Sequence, residues 1–502
     1  MSVGPRKQPP ARGWFRENNV GVTFYHLGGC QTSGVNDGFD WRRFLALCLG
    51  KLTQGASRFL GRGGSSFPGR IILWVDPAFI RVMAGKMARG TLVVTGTNGK
   101  TTTAKLVASI LGAKGWGVCR NGAGANLIGG LAAAFLNAAN FWGKVRCQMA
   151  LLEVDEATVP QATGELQPAA IAVTNFFRDQ LDRYGELTNT VELVRRGLRE
   201  AGPRTVLVLN ADDPMVAGLG KGYPGPVLYY GVEEPTLGRR EKERDAESPP
   251  CPNCGEQLAY TVTYYAHLGN YRCPACGWAR PRPEVRLQRL RSEGSRGYAL
   301  EMGTPQGTIR AKLPVPGFYN VYNALAATAL VQICGVEPGL IVRGLEGFAA
   351  SFGRMERLRV GGTQILLALV KNPVGFNQVL QAVLEDHGPK VILFLINDRY
   401  ADGTDVSWLW DADLERLEGG AEFAGVIVGG LRAEDMAVRL KYAGWPPEAI
   451  LMEHKPAQAL ERAIGLVPPG GIIYVLPTYT ALLEIREVLQ RRGWARPFWE
   501  ES

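Results

Sequence analysis

The stretch Thr91–Thr103, TLVVTGTNGKTTT, decides how the rest of the chain is read. Thr91–Thr95 is a short, β-rich apolar run; Gly96-Thr97-Asn98-Gly99 then turns the chain into Lys100-Thr101-Thr102 and a helical pattern, Ala104–Gly112. Strand, glycine turn and helix in that order present successive backbone N–H groups and a helix N-terminus to an anion, which suits the phosphates of a nucleotide. Gly96 and Gly99 let the backbone come close without a Cβ clash. Lys100 is placed to reach the β- and γ-phosphates, and Thr101 to offer a hydroxyl to Mg2+. Val94 stands where the general phosphate loop has its first glycine, so the match is to a shortened variant.

Outward from this loop the chain reads as alternating strands and helices. Met149–Val154, Ala170–Thr174 and Thr205–Leu209 are apolar runs separated by helical spacers, the pattern of βαβ units on a mainly parallel sheet. Ligands of such sheets sit at the carboxyl ends of the strands, so the polar residues that follow them matter. Glu153, near the end of one such run in LLEVDEA, is therefore a residue to inspect, as are the neighbouring Asp155 and Glu156. From Gln364 a second alternation follows, with the runs 391–397, 424–430, 450–453 and 471–477, and predicts a smaller Rossmann-like α/β domain.

At 502 residues and 46% hydrophobic, the chain is long enough for roughly two to four domains. The sequence contains no apolar run of about 18 residues, which predicts no transmembrane segment, and it opens on no signal pattern, which predicts a cytoplasmic location. The net charge of +9 is concentrated at the start: residues 1–100 hold fourteen Lys and Arg against four Asp and Glu. Such a region suits nucleic acid, an anionic membrane surface or a pyrophosphate-bearing substrate. Residues 1–40 predict a poorly ordered extension and 41–90 a basic helical region. Trp41, Phe44, Leu45, Cys48, Leu52, Ala56, Phe59 and Leu60 fall at helical spacing, a stripe expected to pack into the core, with shallow membrane contact as the alternative.

Nine cysteines divide into five scattered ones and four at metal spacing, Cys251-Pro-Asn-Cys254-Gly and Cys273-Pro-Ala-Cys276-Gly, with eighteen residues between the two pairs. Two such turns complete a closed four-thiolate site for a structural Zn2+, which leaves no open position for catalysis.

GTNGKTT, together with Asn210-Ala211-Asp212-Asp213-Pro214, Tyr322-Asn323-Ala324-Leu325-Ala326-Ala327 and Gly353-Arg354-Met355-Glu356, resembles the Mur ligases and folylpolyglutamate synthase. These enzymes use ATP to activate a carboxylate as an acyl phosphate and then join an amine to it. The resemblance implies a Mur-ligase-like central ATPase domain over 91–358, with the zinc ribbon inserted at 248–280, and a second domain over 359–497. It further implies that Gly96–Thr102 bind ATP, that Asn323 contacts adenine, that Arg354 lies near phosphate, and that Thr101 and Glu153 hold magnesium. Gln180 stands where amino-acid-adding members have His, no lysine occurs in Glu186–Arg195, and Lys371-Asn372-Pro373 replaces the family's His-Asn-Pro.

The ribbon, and the loop Asn397–Asp411 with its two tryptophans, resemble one branch of the family, the MurT ligases. That likeness implies a heterodimer with a GatD-like glutamine amidotransferase, which lacks an acidic partner for its Cys and His, and assigns this role to Asp405. It also implies ammonia-dependent amidation of the D-glutamate α-carboxylate in lipid II, at the inner face of the membrane. Two other readings stand beside it: an amino-acid-adding ligase, and a nucleic-acid-binding NTPase that uses the ribbon and the basic stretch Arg280–Arg296. On the favoured reading no nucleic-acid partner is expected.

Overall fold

The computed structural model describes residues 15–17, 23–25, 40–59, 66–122, 124–177, 187–239, 249–350, 353–417 and 423–495. The Arg178–Gly185 segment, with Gln180, lies outside these residues, as does most of the 1–40 extension; within that extension Phe15–Glu17 pairs with Thr23–Tyr25. Among the described residues two large sheets organise the chain.

The first sheet has nine strands in the order Gly307–Leu313, Tyr298–Thr304, Val285–Ser292, Val227–Val232, Val206–Asn210, Ala170–Val173, Thr91–Thr95, Met149–Glu153 and Val118–Arg120. The seven from Val285–Ser292 onward run parallel, and the first two complete an antiparallel edge. Thr91–Thr95 lies between Ala170–Val173 and Met149–Glu153 and is buried along its whole length. A strand covered on both faces must be apolar throughout, which is why TLVVT shows no alternation. The stretch Val285–Ser292, from the basic segment, is a sheet strand, and Arg280 turns inward to Asp212 at 2.6 Å.

The Tyr319–Ile333 helix is buried on all sides from Asn320 to Ile333. Ala324, Ala326, Ala327 and Ala329 keep it thin enough to lie between the sheet and the helix that follows the phosphate loop. Its two buried asparagines are hydrogen-bonded near its start: Asn323 Nδ2 donates to Asn320 Oδ1 at 3.1 Å, and Asn320 Nδ2 donates to the Pro316 carbonyl. Each such bond avoids the cost, about 1–3 kcal/mol, of an unsatisfied buried polar group.

The second sheet has six strands, Arg354–Val360, Thr363–Ala368, Ile472–Pro477, Lys390–Leu395, Phe423–Gly429 and Ile450–Met452, parallel except for the first. Arg354–Val360 forms a hairpin with Thr363–Ala368, so a domain boundary at 358/359 falls inside paired strands. The hairpin is the reason to propose that boundary ahead of Gly353.

Three helices precede the phosphate loop: α1 (Trp41–Phe59), α2 (Phe67–Val75) and α3 (Phe79–Gly85). The apolar stripe of α1 lies opposite to its expected side. Ala46, Leu47 and Gly50 are buried, whereas Trp41, Leu45 and Leu52 are exposed. The small side chain decided the contact face: a Cβ at Gly50 would meet Ile72 of α2 at 2.6 Å, an approach that a larger residue prevents.

Candidate active site

The chain leaves Thr95 at the carboxyl end of its strand and enters the phosphate loop with Gly96 at φ +116° and Gly99 at φ +89°. Positive φ is one reason for glycine at both places, and crowding is the other. A Cβ on Gly96 would sit 2.3 Å from Thr174 Oγ1, and one on Gly99 would sit 2.2 Å from Asn323 Oδ1. The loop is held from below by the strand end 174–177. Thr97 N donates to the Asn175 carbonyl at 2.9 Å, Asn98 N donates to Asn175 Oδ1 at 2.9 Å, and Thr174 Oγ1 donates to the Asn98 carbonyl at 2.7 Å. Gly99 starts the Lys100–Ala113 helix, the fourth in the described chain, hereafter α4. Gly99 and Thr102 of this turn line the cavity above the loop.

Two acids meet this turn. Thr101 Oγ1 donates to Glu153 Oε2 at 2.7 Å, and Lys100 Nζ lies 3.1 Å from Glu156 Oε2. Glu153 is buried, and burial raises its pKa above the ordinary glutamate value. The Thr101 hydroxyl and the charges of Arg354, Lys100 and Arg120 act in the opposite direction. Burial also lowers the Arg120 guanidinium, against the pull of Glu153. A buried carboxylate and a hydroxyl side by side are hard oxygen donors of the kind Mg2+ takes. Asp155 is placed differently: its Oδ1 accepts from Ala157 N at 3.3 Å and caps a short turn.

Above the loop is a cavity between the two sheets' domains, lined by Gly99, Thr102, Asn323, Arg354, Lys371 and Tyr265 among others. Asn323 and Arg354 therefore share one cavity with the phosphate loop. Thr103 Oγ1 also donates to Asn323 Oδ1 at 3.3 Å, so the asparagine braces α4 as well as lining the cavity. From the second domain, Asn372 Nδ2 donates to Asn98 Oδ1 at 3.3 Å and Lys371 Nζ reaches the Thr97 carbonyl at 3.5 Å.

Sequence reading missed Tyr265. It ends the first strand of the ribbon hairpin, Ala259–Tyr265 paired with Leu268–Arg272. Its ring is enclosed by Phe177 at 5.8 Å, Phe318 at 6.3 Å and Tyr322 at 5.5 Å, the last two edge-on. Its place in a zinc-ribbon insertion gave no signal of a position beside the nucleotide cavity.

The four ribbon thiols converge, all within 4.8 Å of one another, with Cys251 and Cys276 at 3.7 Å and Cys254 and Cys273 at 3.5 Å. A tetrahedron with metal–sulfur bonds of about 2.3 Å has edges of about 3.8 Å, so the set fits Zn2+. The ribbon is fastened to the sheet by buried polar contacts. Tyr271 OH donates to the Ala211 carbonyl at 2.9 Å, and Asp212 joins Arg280 Nε at 2.6 Å to the Tyr322 hydroxyl at 2.7 Å. Burial raises the Asp212 pKa, while Arg280 pulls it down. The Asn-Ala-Asp-Asp-Pro turn thus braces the ribbon against the Asn323 helix, and Asp213 caps Pro214–Gly218.

In the second domain, Asp402 and Asp405 differ. Asp402 is buried and accepts from Thr480 N at 2.6 Å and Arg399 N at 3.1 Å. Asp405 is exposed, and its Oδ1 accepts from Ser407 N at 2.8 Å. Beside this loop, the exposed Trp410 meets Tyr442 edge-on at 5.6 Å.

A shortened phosphate loop, a strand-end glutamate on its threonine and a second α/β domain over the cavity define an ATP-dependent ligase fold. Solved structures with this fold include a pseudomurein peptide ligase type C from Methanothermus fervidus, with TM-score 0.60 and 23% identity over 80% of this chain and 78% of that one. Another is MurF from Acinetobacter baumannii, with TM-score 0.61 and 18% identity over 83% and 80%. Residues 94–248 match the Mur ligase middle domain, and residues 369–482 match the MurT ligase C-terminal family. The subunit MurT of lipid II isoglutaminyl synthase (glutamine-hydrolyzing) from Streptococcus pneumoniae is 36% identical over 90% of this chain and 99% of its own. The Staphylococcus aureus counterpart is 32% identical over 90% and 98%. The chain belongs to the MurT family of Mur-type ATP-dependent ligases.

Proposed function

We propose that this chain is the synthetase subunit of a two-protein amidating enzyme. It phosphorylates the D-glutamate α-carboxylate of the lipid II stem peptide, and ammonia displaces phosphate from the acyl phosphate to give D-isoglutamine. The names of the relatives above support lipid II as the substrate class and a companion subunit that hydrolyses glutamine; a GatD-like amidotransferase is the companion proposed here.

Gly96–Thr102 cradle the phosphates of ATP through backbone N–H groups, and Lys100 leaves Glu156 to stabilise charge on the transferring phosphoryl group. Thr101 and Glu153 hold Mg2+, which when bound neutralises phosphate charge. Arg354 and Lys371 bring further positive charge from the second domain, and Asn323, which lines the same cavity, is assigned to adenine. Cys251, Cys254, Cys273 and Cys276 would hold a structural Zn2+ that keeps the ribbon closed. Ammonia passed directly from a glutaminase site arrives unprotonated, whereas an amino acid must first lose a proton from its ammonium group, in keeping with Lys371 in place of the family's His.

The observation that carries the partner assignment is the contrast between Asp402, engaged inside the fold, and the exposed Asp405. A carboxylate there can fix the tautomer of a histidine across an interface while the partner's cysteine attacks glutamine. The test is co-purification with a GatD-like protein, followed by amidation of lipid II with glutamine or with ammonium. ADP release that needs an amino acid rather than ammonia would overturn the reading in favour of an amino-acid-adding ligase.

A further inference from the structure

From Trp41 to Val75 the sequence has six Lys and Arg and no Asp or Glu. On α1, Trp41, Leu45, Cys48 and Leu52 fall within about 60° of one another around the helix axis, opposite the buried Ala46, Leu47 and Gly50. Trp41 is 61% exposed, Leu45 42% and Leu52 69%. The turn between the Ile128–Ala138 helix and Met149 extends this surface. Its exposed Trp142 packs on Phe44 of α1 at 5.6 Å, and Lys51 Nζ lies 5.5 Å over the ring of its exposed Phe141. Arg42 and Lys144 are exposed beside these rings, and Asp40 and Asp76 are engaged by Arg43 at 2.9 and 3.3 Å.

We infer that this face docks on an anionic lipid bilayer, lying in the interface without crossing it. Tryptophan and phenylalanine set between arginine and lysine suit the boundary between headgroups and acyl chains, where the rings are buried and the cations meet lipid phosphates. No described helix is long and apolar enough to span a membrane. Charge complementarity selects the bilayer over a second copy of this chain, whose matching face would carry the same positive charge. The inference rests on this surface alone and does not depend on the proposed amidation.

The test is co-sedimentation of the full chain with vesicles of phosphatidylcholine alone, or with about 30 mol% phosphatidylglycerol. The expected result is binding to the anionic vesicles, weakened by salt. The combined variant Trp41→Ser/Leu52→Gln/Trp142→Ser should lower partitioning at least about tenfold, with melting temperature and ATP binding unchanged. Arg42→Glu/Lys144→Glu, which leaves the apolar residues in place, should also weaken binding to anionic vesicles. The inference is overturned if the wild-type chain stays in solution or if neither variant changes partitioning. It is equally overturned if only a chain beginning at Asp40 binds, since residues 1–39 would then cover the face, or if the triple variant changes the oligomeric state instead. Phosphate release with a water-soluble stem-peptide substrate reads the proposed amidation separately.

Discussion

The phosphate loop and the Asp405 loop both follow the carboxyl end of a central parallel strand, yet they are held in different ways. The first is tied down from below by Thr174 and Asn175 and from the side by Asn323 and Asn372. The second is anchored at its start, where Asn397 Oδ1 accepts from Leu431 N at 2.9 Å and Asp402 accepts from Thr480 N, and then runs outward to an exposed Asp405. A loop that must hold phosphates at fixed geometry needs its amides preorganised within its own chain. The role proposed for the second loop, serving a partner's histidine, requires only that its base be fixed, because an interface would order the rest.

The largest expected effect breaks the first loop. Lys100→Ala should lower ATP-dependent phosphate release by about 100-fold or more, with glutamine and ammonia alike, because charge on the phosphoryl group loses its nearest cation. Asp405→Asn should lower glutamine-driven amidation by about 100-fold or more and leave the ammonia-driven rate within about twofold. Equal loss with both nitrogen sources would remove the distinction between the two loops. Asp402→Asn should act on stability instead, lowering the free energy of unfolding by about 1–3 kcal/mol as the Thr480 and Arg399 contacts weaken, read as an earlier denaturation midpoint.

Smaller effects sharpen the account of the cavity. Tyr265→Leu, or removal of zinc by a chelator, should raise the Kd for ATP about threefold to tenfold by loosening one wall, as isothermal titration would read. The smallest is a pH effect at Glu153. Without Mg2+ the folded chain holds the Glu153 proton more tightly than the unfolded chain does. Its contribution to stability is therefore full below the ordinary glutamate range and is lost as pH rises through the raised value. Glu153→Gln should flatten that slope in thermal melts of the nucleotide-free chain and weaken Mg2+ binding at neutral pH.

Much of the fold was legible because its signals are local. TLVVT followed by a glycine turn needs only the steric rules of strand and helix, and the CPxCG turns carry their metal geometry within five residues each. The α1 stripe was misread because period shows that a face is apolar without showing which side has a partner. Gly50, a single missing side chain, gave the opposite side the closer contact with Ile72. The boundary expected at 358/359 cuts the strand at Arg354 for a related reason: a motif fixes residues, whereas strand pairing fixes the sheet they join.

By itself the sequence determined the side chains available at each point: glycines that permit positive φ, a lysine and threonine in the turn after the strand, four thiols at metal spacing and an acidic loop. Only the tertiary structure decided what stands next to what. It brought Tyr265 from the ribbon and Lys371 from the second domain to one cavity, enclosed Asp402 and left Asp405 outside, and turned Trp41, Leu45 and Leu52 to solvent. Adjacency between distant segments depends on which surfaces bury one another best, and that is settled by the packing of the whole chain rather than by any stretch of it.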